Sequence, residues 1–140
     1  MKYYSGNIYP SKDTIFVFGS NPEGRHGAGS AKVALQQFGA IYGQGEGLQG
    51  SSYALPTTDL RTYSLMSKEQ IIRSIKKMFK VAESMPDKLF KIAYRNQPNE
   101  RTLCGYTGEE LMNMFKSAAP YPDNVVFSKE WFDNGIYEKI

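Results

Sequence analysis

The sequence predicts an α/β domain whose mainly parallel sheet is covered by helices on both faces. Three observations carry that reading. The apolar runs Ile15–Phe18, Leu89–Tyr94 and Val125–Phe127 have the length of buried strands. Apolar residues recur at helical spacing in three other segments. Strand and helix patterns alternate along the chain, as they do when parallel strands are joined by crossover helices.

Ile15–Phe18 runs into Gly19-Ser20-Asn21-Pro22, so it reads as a buried strand ending in a loop. Ala31, Ala34, Leu35 and Phe38 then form one apolar helix face, stopped by Gly39. Residues 43–50 are too rich in glycine for a regular element and are expected to be loop. Tyr53-Ala54-Leu55 follows as a short strand, closed by Pro56. Ser67-Lys68-Glu69-Gln70 is a capping box, a hydroxyl with an amide three residues on. The helix it opens places Ile71, Ile72, Ile75, Met78, Phe79 and Ala82 on one face and should stop near Met85-Pro86. After the strand Leu89–Tyr94 comes a polar stretch, residues 95–101. Thr107-Gly108-Glu109-Glu110 predicts a second capping box, ahead of a helix face of Leu111, Met114, Phe115 and Ala118.

The chain has 140 residues, the size of one domain with one core, and no linker divides residues 1–140. Apolar residues are 41% and charged residues 22%, which excludes disorder of the whole chain. No apolar run has the length of a membrane span or of a signal-peptide core, so membrane association is not expected. The single cysteine, Cys104, excludes an internal disulfide and a cysteine-based zinc site, which points to a reducing cytoplasm. A net charge of +3 suits an anionic ligand without the dense basic face of a nucleic-acid binder. Lys76, Lys77 and Lys80 are the densest basic run, and on a helix they read first as a solvated face.

Nine of the thirteen glycines lie between Gly19 and Gly50, a density that signals unusual backbone angles or close approach of backbone to a ligand. The cluster from Asn21 to Ser30 joins a buried strand to a helix, whose free N–H groups and dipole favour phosphate or carboxylate. Two nucleotide motifs fail here. Gly24 to Gly29 has P-loop spacing, but Ser30 stands where lysine is required. The GxGxxG at residues 45–50 leads into a strand instead of opening a helix. His26 is the only histidine, so no histidine pair for a metal exists; in a glycine loop it reads as a ligand contact or an incidental loop residue. Cys104 reads as an inert thiol. Tyr106 and Phe132 have rings that can stack on a base, with a structural role the simpler reading of each.

Gly6-Asn7-Ile8, Ile15–Phe18, Asn21 and Gly27-Ala28-Gly29 leading into a helix together resemble the start of a macro domain. Gly27–Ala31, Gln37-Phe38-Gly39 and the stretch Tyr42–Thr57 are similar to the small bacterial and bacteriophage branch of the macro-like family. The resemblance covers about residues 1–60 and is looser from Leu89 to Phe127. It implies a three-layer α/β/α fold with a mixed, mainly parallel central sheet that binds ADP-ribose. Asn7-Ile8 stands where the family commonly has an Asp-Ile pair that reads adenine, the asparagine keeping a carbonyl acceptor without the charge, and Asn21 matches the asparagine on the distal ribose. Gly27, Ala28 and Gly29 match the loop on the pyrophosphate. The family's second phosphate loop is replaced by residues 99–106, where Gly105 and Tyr106 keep the pattern. Either that change weakens phosphate binding or Arg101 substitutes a charged, bidentate donor. Leu35 stands where some relatives carry a lysine, which argues against a lysine adduct.

The resemblance thus implies recognition of ADP-ribose, with hydrolysis of ADP-ribosyl linkages or of ADP-ribose 1''-phosphate as the leading activity. Asn21 would orient the ribose or a water, and His26, Glu100 and Lys32 are the candidates for proton transfer. No metal and no cofactor is implied. The partner would be ADP-ribose or an ADP-ribosylated substrate, in the host cytoplasm if the chain is bacteriophage-encoded. The alternatives are a non-catalytic reader of ADP-ribose or related nucleotides, and a nucleic-acid-binding module using the basic helix.

Overall fold

The computed structural model describes residues 2–6, 8–27, 29–59, 64–93, 106 and 108–129. It is an α/β fold with a mixed six-stranded sheet. The strands are β1 (Lys2–Tyr4), β2 (Thr14–Ser20), β3 (Gly47–Gln49), β4 (Ser52–Pro56), β7 (Leu89–Ile92) and β8 (Val125–Ser128), in the order β1-β8-β7-β2-β4-β3. A two-stranded ribbon, β5 (Thr58–Asp59) with β6 (Ser64–Leu65), stands apart from it. Every pairing in the large sheet is parallel except that of β3 with β4.

β2 is the central strand, paired with β4 on one side and β7 on the other. Its side chains alternate between two cores, as a pleated strand requires. Phe16 and Phe18 pack with Ala54 of β4 against Ala31 and Ala34 of α1 (Gly29–Gln37) and Phe38 just beyond it, and the Phe16 and Phe38 rings stack at 4.3 Å. Ile15 and Val17 join Tyr53 and Leu55 against α2 (Lys68–Ser84) and α3 (Gly108–Ser117). Helices therefore cover both faces of the sheet. None among the described residues is long and apolar enough to cross a membrane.

The helix faces form largely as their spacing predicts. Ile71, Ile75, Met78, Phe79 and Ala82 of α2 are buried, as are Leu111, Met114 and Phe115 of α3 and Ala118 just beyond it. The Ser67 capping box is present in both directions: Ser67 Oγ accepts from the Gln70 amide, and Gln70 Oε1 accepts from the Ser67 amide. Thr107, expected to open the second box, lies outside the described residues. Leu35 differs from expectation: it is 37% exposed, because Ala31, Ala34 and Phe38 already fill the narrow contact with the sheet. Residues 43–50 are not loop throughout. Gly47–Gln49 folds back on β4 as an edge strand, and the buried Gln49 amide holds the preceding turn by accepting from the Ile41 N–H at 2.7 Å.

One buried amide ties the sheet to the end of α2. Asn124 Nδ2, just before β8, lies 2.8 Å from the Ala82 carbonyl and 3.0 Å from those of Met85 and Lys88. Asn124→Ala would leave these acceptors without that donor. We expect it to lower stability by about 2 kcal/mol, measured by urea unfolding.

Candidate functional site

In an open α/β sheet the crevice for ligands lies beyond the carboxyl ends of the strands. Here β2 and β4 end side by side, with Ser20 in register with Pro56. The chain leaves β2 through residues 21–27, and a second loop, residues 41–46, folds against it. Asn21 closes the first loop on itself. Its Oδ1 accepts from the Arg25 N–H at 2.8 Å, and its Nδ2 donates to the Arg25 carbonyl at 3.0 Å. The two loops then meet backbone to backbone, with the Gly43 N–H donating to the Gly24 carbonyl at 2.8 Å. A Cβ on Gly24, whose φ is +69°, would stand 2.3 Å from the Gly43 carbonyl carbon. A Cβ on Gly45 would stand 2.2 Å from the Asn21 carbonyl oxygen. Much of the glycine density therefore serves loop-on-loop packing.

His26 completes the joint. Its ring is fully buried, edge-on to Phe18 at 5.1 Å and to Tyr42 at 6.2 Å. Nε2 is 3.0 Å from the Gln44 carbonyl, which can only accept, so Nε2 carries the hydrogen. Nδ1 is closed off from solvent and has no hydrogen-bond partner among the described residues. The ring is thus enclosed between the two loops and Phe18.

The open side of the same loop is different. A Cβ at Gly27 would meet nothing within 4 Å. Two residues on, α1 begins at Gly29 with no acidic side chain in its first turn, so nothing of its own offsets the positive end of the helix dipole there. Ile8 packs against the α1 core from the segment after β1. Lys32 is exposed on the outer side of α1. Tyr106 is buried in the other core, and its hydroxyl donates to the Met66 carbonyl at 2.6 Å. Asn7, Ala28, Glu100, Arg101, Cys104, Gly105 and Phe132 lie outside the described residues.

A cavity of about 290 Å³ opens on the α2 side of the same strand ends. Pro22 and Pro56 line it from β2 and β4, Gly45 and Glu46 from the second loop, and Met66 from ahead of α2. Gln70, Arg73, Ser74 and Lys77 of α2 complete it. Lys76, Lys77 and Lys80 are exposed, as a solvated face requires, while the place of Glu46 beside α2 was not legible, since these residues come together only through the fold. The i, i+4 spacing of Arg73 and Lys77 was the one legible signal. Beside the cavity, burial and then the Glu46 charge push the Tyr53 phenol up to about 12. Among the described residues no group of three or more metal-ligating side chains comes together. No family model matches the chain, and no curated protein matches it.

Two outcomes follow from this geometry. Gly24→Ala should destabilise the protein by about 2–4 kcal/mol in denaturant titration, because it combines a backbone clash with a left-handed angle. Tyr53 makes stability fall in alkali. Its folded-state value lies above the ordinary one near 10, so the unfolded chain loses its phenolic proton first. The stabilisation is fully present below about pH 10 and is lost as pH rises towards 12, on the order of 2–3 kcal/mol. Melting temperature should decline over that window, and Tyr53→Phe should reduce the decline.

Proposed function

We propose that this chain is a macro domain-like module that recognises ADP-ribose at the loop between β2 and α1. The observation that supports the reading best is the open backbone at Gly27, ahead of a helix N-terminus at the carboxyl end of the central strand. A pyrophosphate there would meet N–H groups and the positive end of the α1 dipole, and among the described residues no atom stands within 4 Å of where a Gly27 Cβ would be. The α/β fold with helices on both faces is compatible with the three-layer architecture that the resemblance implies. Asn21 acts as a positioning residue in this scheme. Its amide holds the loop shape through Arg25 and keeps a second lone pair and a second hydrogen for a ribose hydroxyl.

Binding stands ahead of hydrolysis. Of the three proton-transfer candidates, His26 is enclosed, Lys32 faces outward from α1, and Glu100 lies outside the described residues. Hydrolysis of an ADP-ribosyl linkage or of ADP-ribose 1''-phosphate would rest on orientation of the substrate and a bound water. The enclosed histidine favours a non-catalytic reader as the second reading.

Calorimetric titration with ADP-ribose, with AMP and NAD as comparisons, tests the proposal. We expect saturable micromolar binding. Gly27→Leu should abolish it at an unchanged melting temperature, because the new side chain fills the approach without touching the fold. Absence of binding in the folded wild-type protein, or full binding by Gly27→Leu, would overturn the proposal.

A further inference from the structure

We infer that the cavity between α2 and the ends of β2 and β4 is a second ligand site, built for a small sugar phosphate. It lies on the α2 side of the sheet, away from the approach at Gly27, and does not depend on ADP-ribose recognition.

Three observations converge there. Arg73 and Lys77 sit one turn apart on α2 and both line the cavity. Like charges at this spacing repel, and neither has an ion pair among the described residues, so an anion between them relieves the repulsion. Glu46, only partly buried, lines the cavity from the second loop, apart from α2 in sequence. A carboxylate is an acceptor only, so it suits a ligand that brings hydroxyl hydrogens into the cavity. Gln70 and Ser74 also line it, adding an amide and a hydroxyl, and Pro22, Pro56 and Met66 supply apolar walls.

The site therefore asks for two things at once, an anionic end for the cations and hydroxyl donors for Glu46. A bare anion meets only the first and is repelled by Glu46. A neutral sugar meets only the second. A monosaccharide phosphate meets both, with guanidinium and ammonium on the phosphate and the carboxylate on the sugar hydroxyls. The volume of about 290 Å³ is at the lower end of small-molecule pockets, a size for one phosphorylated sugar and not for a dinucleotide.

The test is titration of the wild-type protein with ribose 5-phosphate, followed by calorimetry and amide chemical shifts, with inorganic phosphate and ribose as separate arms. Ribose 5-phosphate should bind at least about tenfold more tightly than either part. Arg73→Ala with Lys77→Ala should remove binding of both phosphates. Glu46→Ala should remove the advantage of ribose 5-phosphate over inorganic phosphate. All three side chains are at least partly exposed, and melting curves establish that the variants are folded. Gly27→Leu should leave ribose 5-phosphate binding intact, so failure here and failure at the ADP-ribose loop are read separately. No saturable binding by the folded wild-type protein, equal affinity for inorganic phosphate, or variants that bind like wild type would each overturn the inference.

Discussion

The structure depends on β2 being buried on both faces and hydrogen-bonded on both edges. Val17 and Phe18 are adjacent, fully buried, and belong to different cores. A slip of one residue in register would exchange every side chain between the α1 face and the α2–α3 face, and the two cores need different shapes. The α1 core is a stack of phenylalanines against alanines, whereas the other is a larger set of aliphatic, methionine and aromatic side chains. That asymmetry holds the strand in one register. It also fixes where β2 ends, and hence where both loops at the carboxyl edge begin.

The loops convert this fixed edge into a shaped surface. Asn21 rounds off the first loop, Gly24 and Gly45 let the second lie directly on it, and His26 pins the two together through the Gln44 carbonyl. The result is one rim with two different sides. Towards α1 it offers bare backbone at a helix start. Towards α2 it borders a small cavity that Glu46, Arg73 and Lys77 line together.

Periodicity made the long elements legible. Helix faces such as Ile71, Ile75, Met78 and Ala82 repeat often enough to be recognised, and the Ser67 box marked where α2 starts. β1 and β3 have three residues each, and β5 and β6 two each, too few for any period to show. The glycine cluster was legible as a special loop, but its main use was not. Gly24 meets Gly43 and Gly45 meets Asn21, contacts between segments that local pattern does not relate. His26 was hidden for the same reason: its burial comes from Phe18, Tyr42 and Gln44, and only the first adjoins its own loop. Glu46 gave no sign of sharing a cavity with Arg73 and Lys77, because that juxtaposition requires the crossover from β4 to α2 to be complete.

The edge pairing of β1 with β8 carries a kinetic consequence. These strands lie at opposite ends of the described chain, and β1 contributes only three residues to the ladder. Closing so long a loop for so few hydrogen bonds is entropically unrewarding until the intervening sheet exists. The β2–β4 unit, by contrast, is contained within a short stretch of chain together with α1. During synthesis this unit can assemble on the ribosome, while the β1 segment waits without its neighbour until β8 has emerged. The β1 edge of the sheet thus depends on the rest of the sheet for its pairing, whereas β2 and β4 meet within one short stretch of chain.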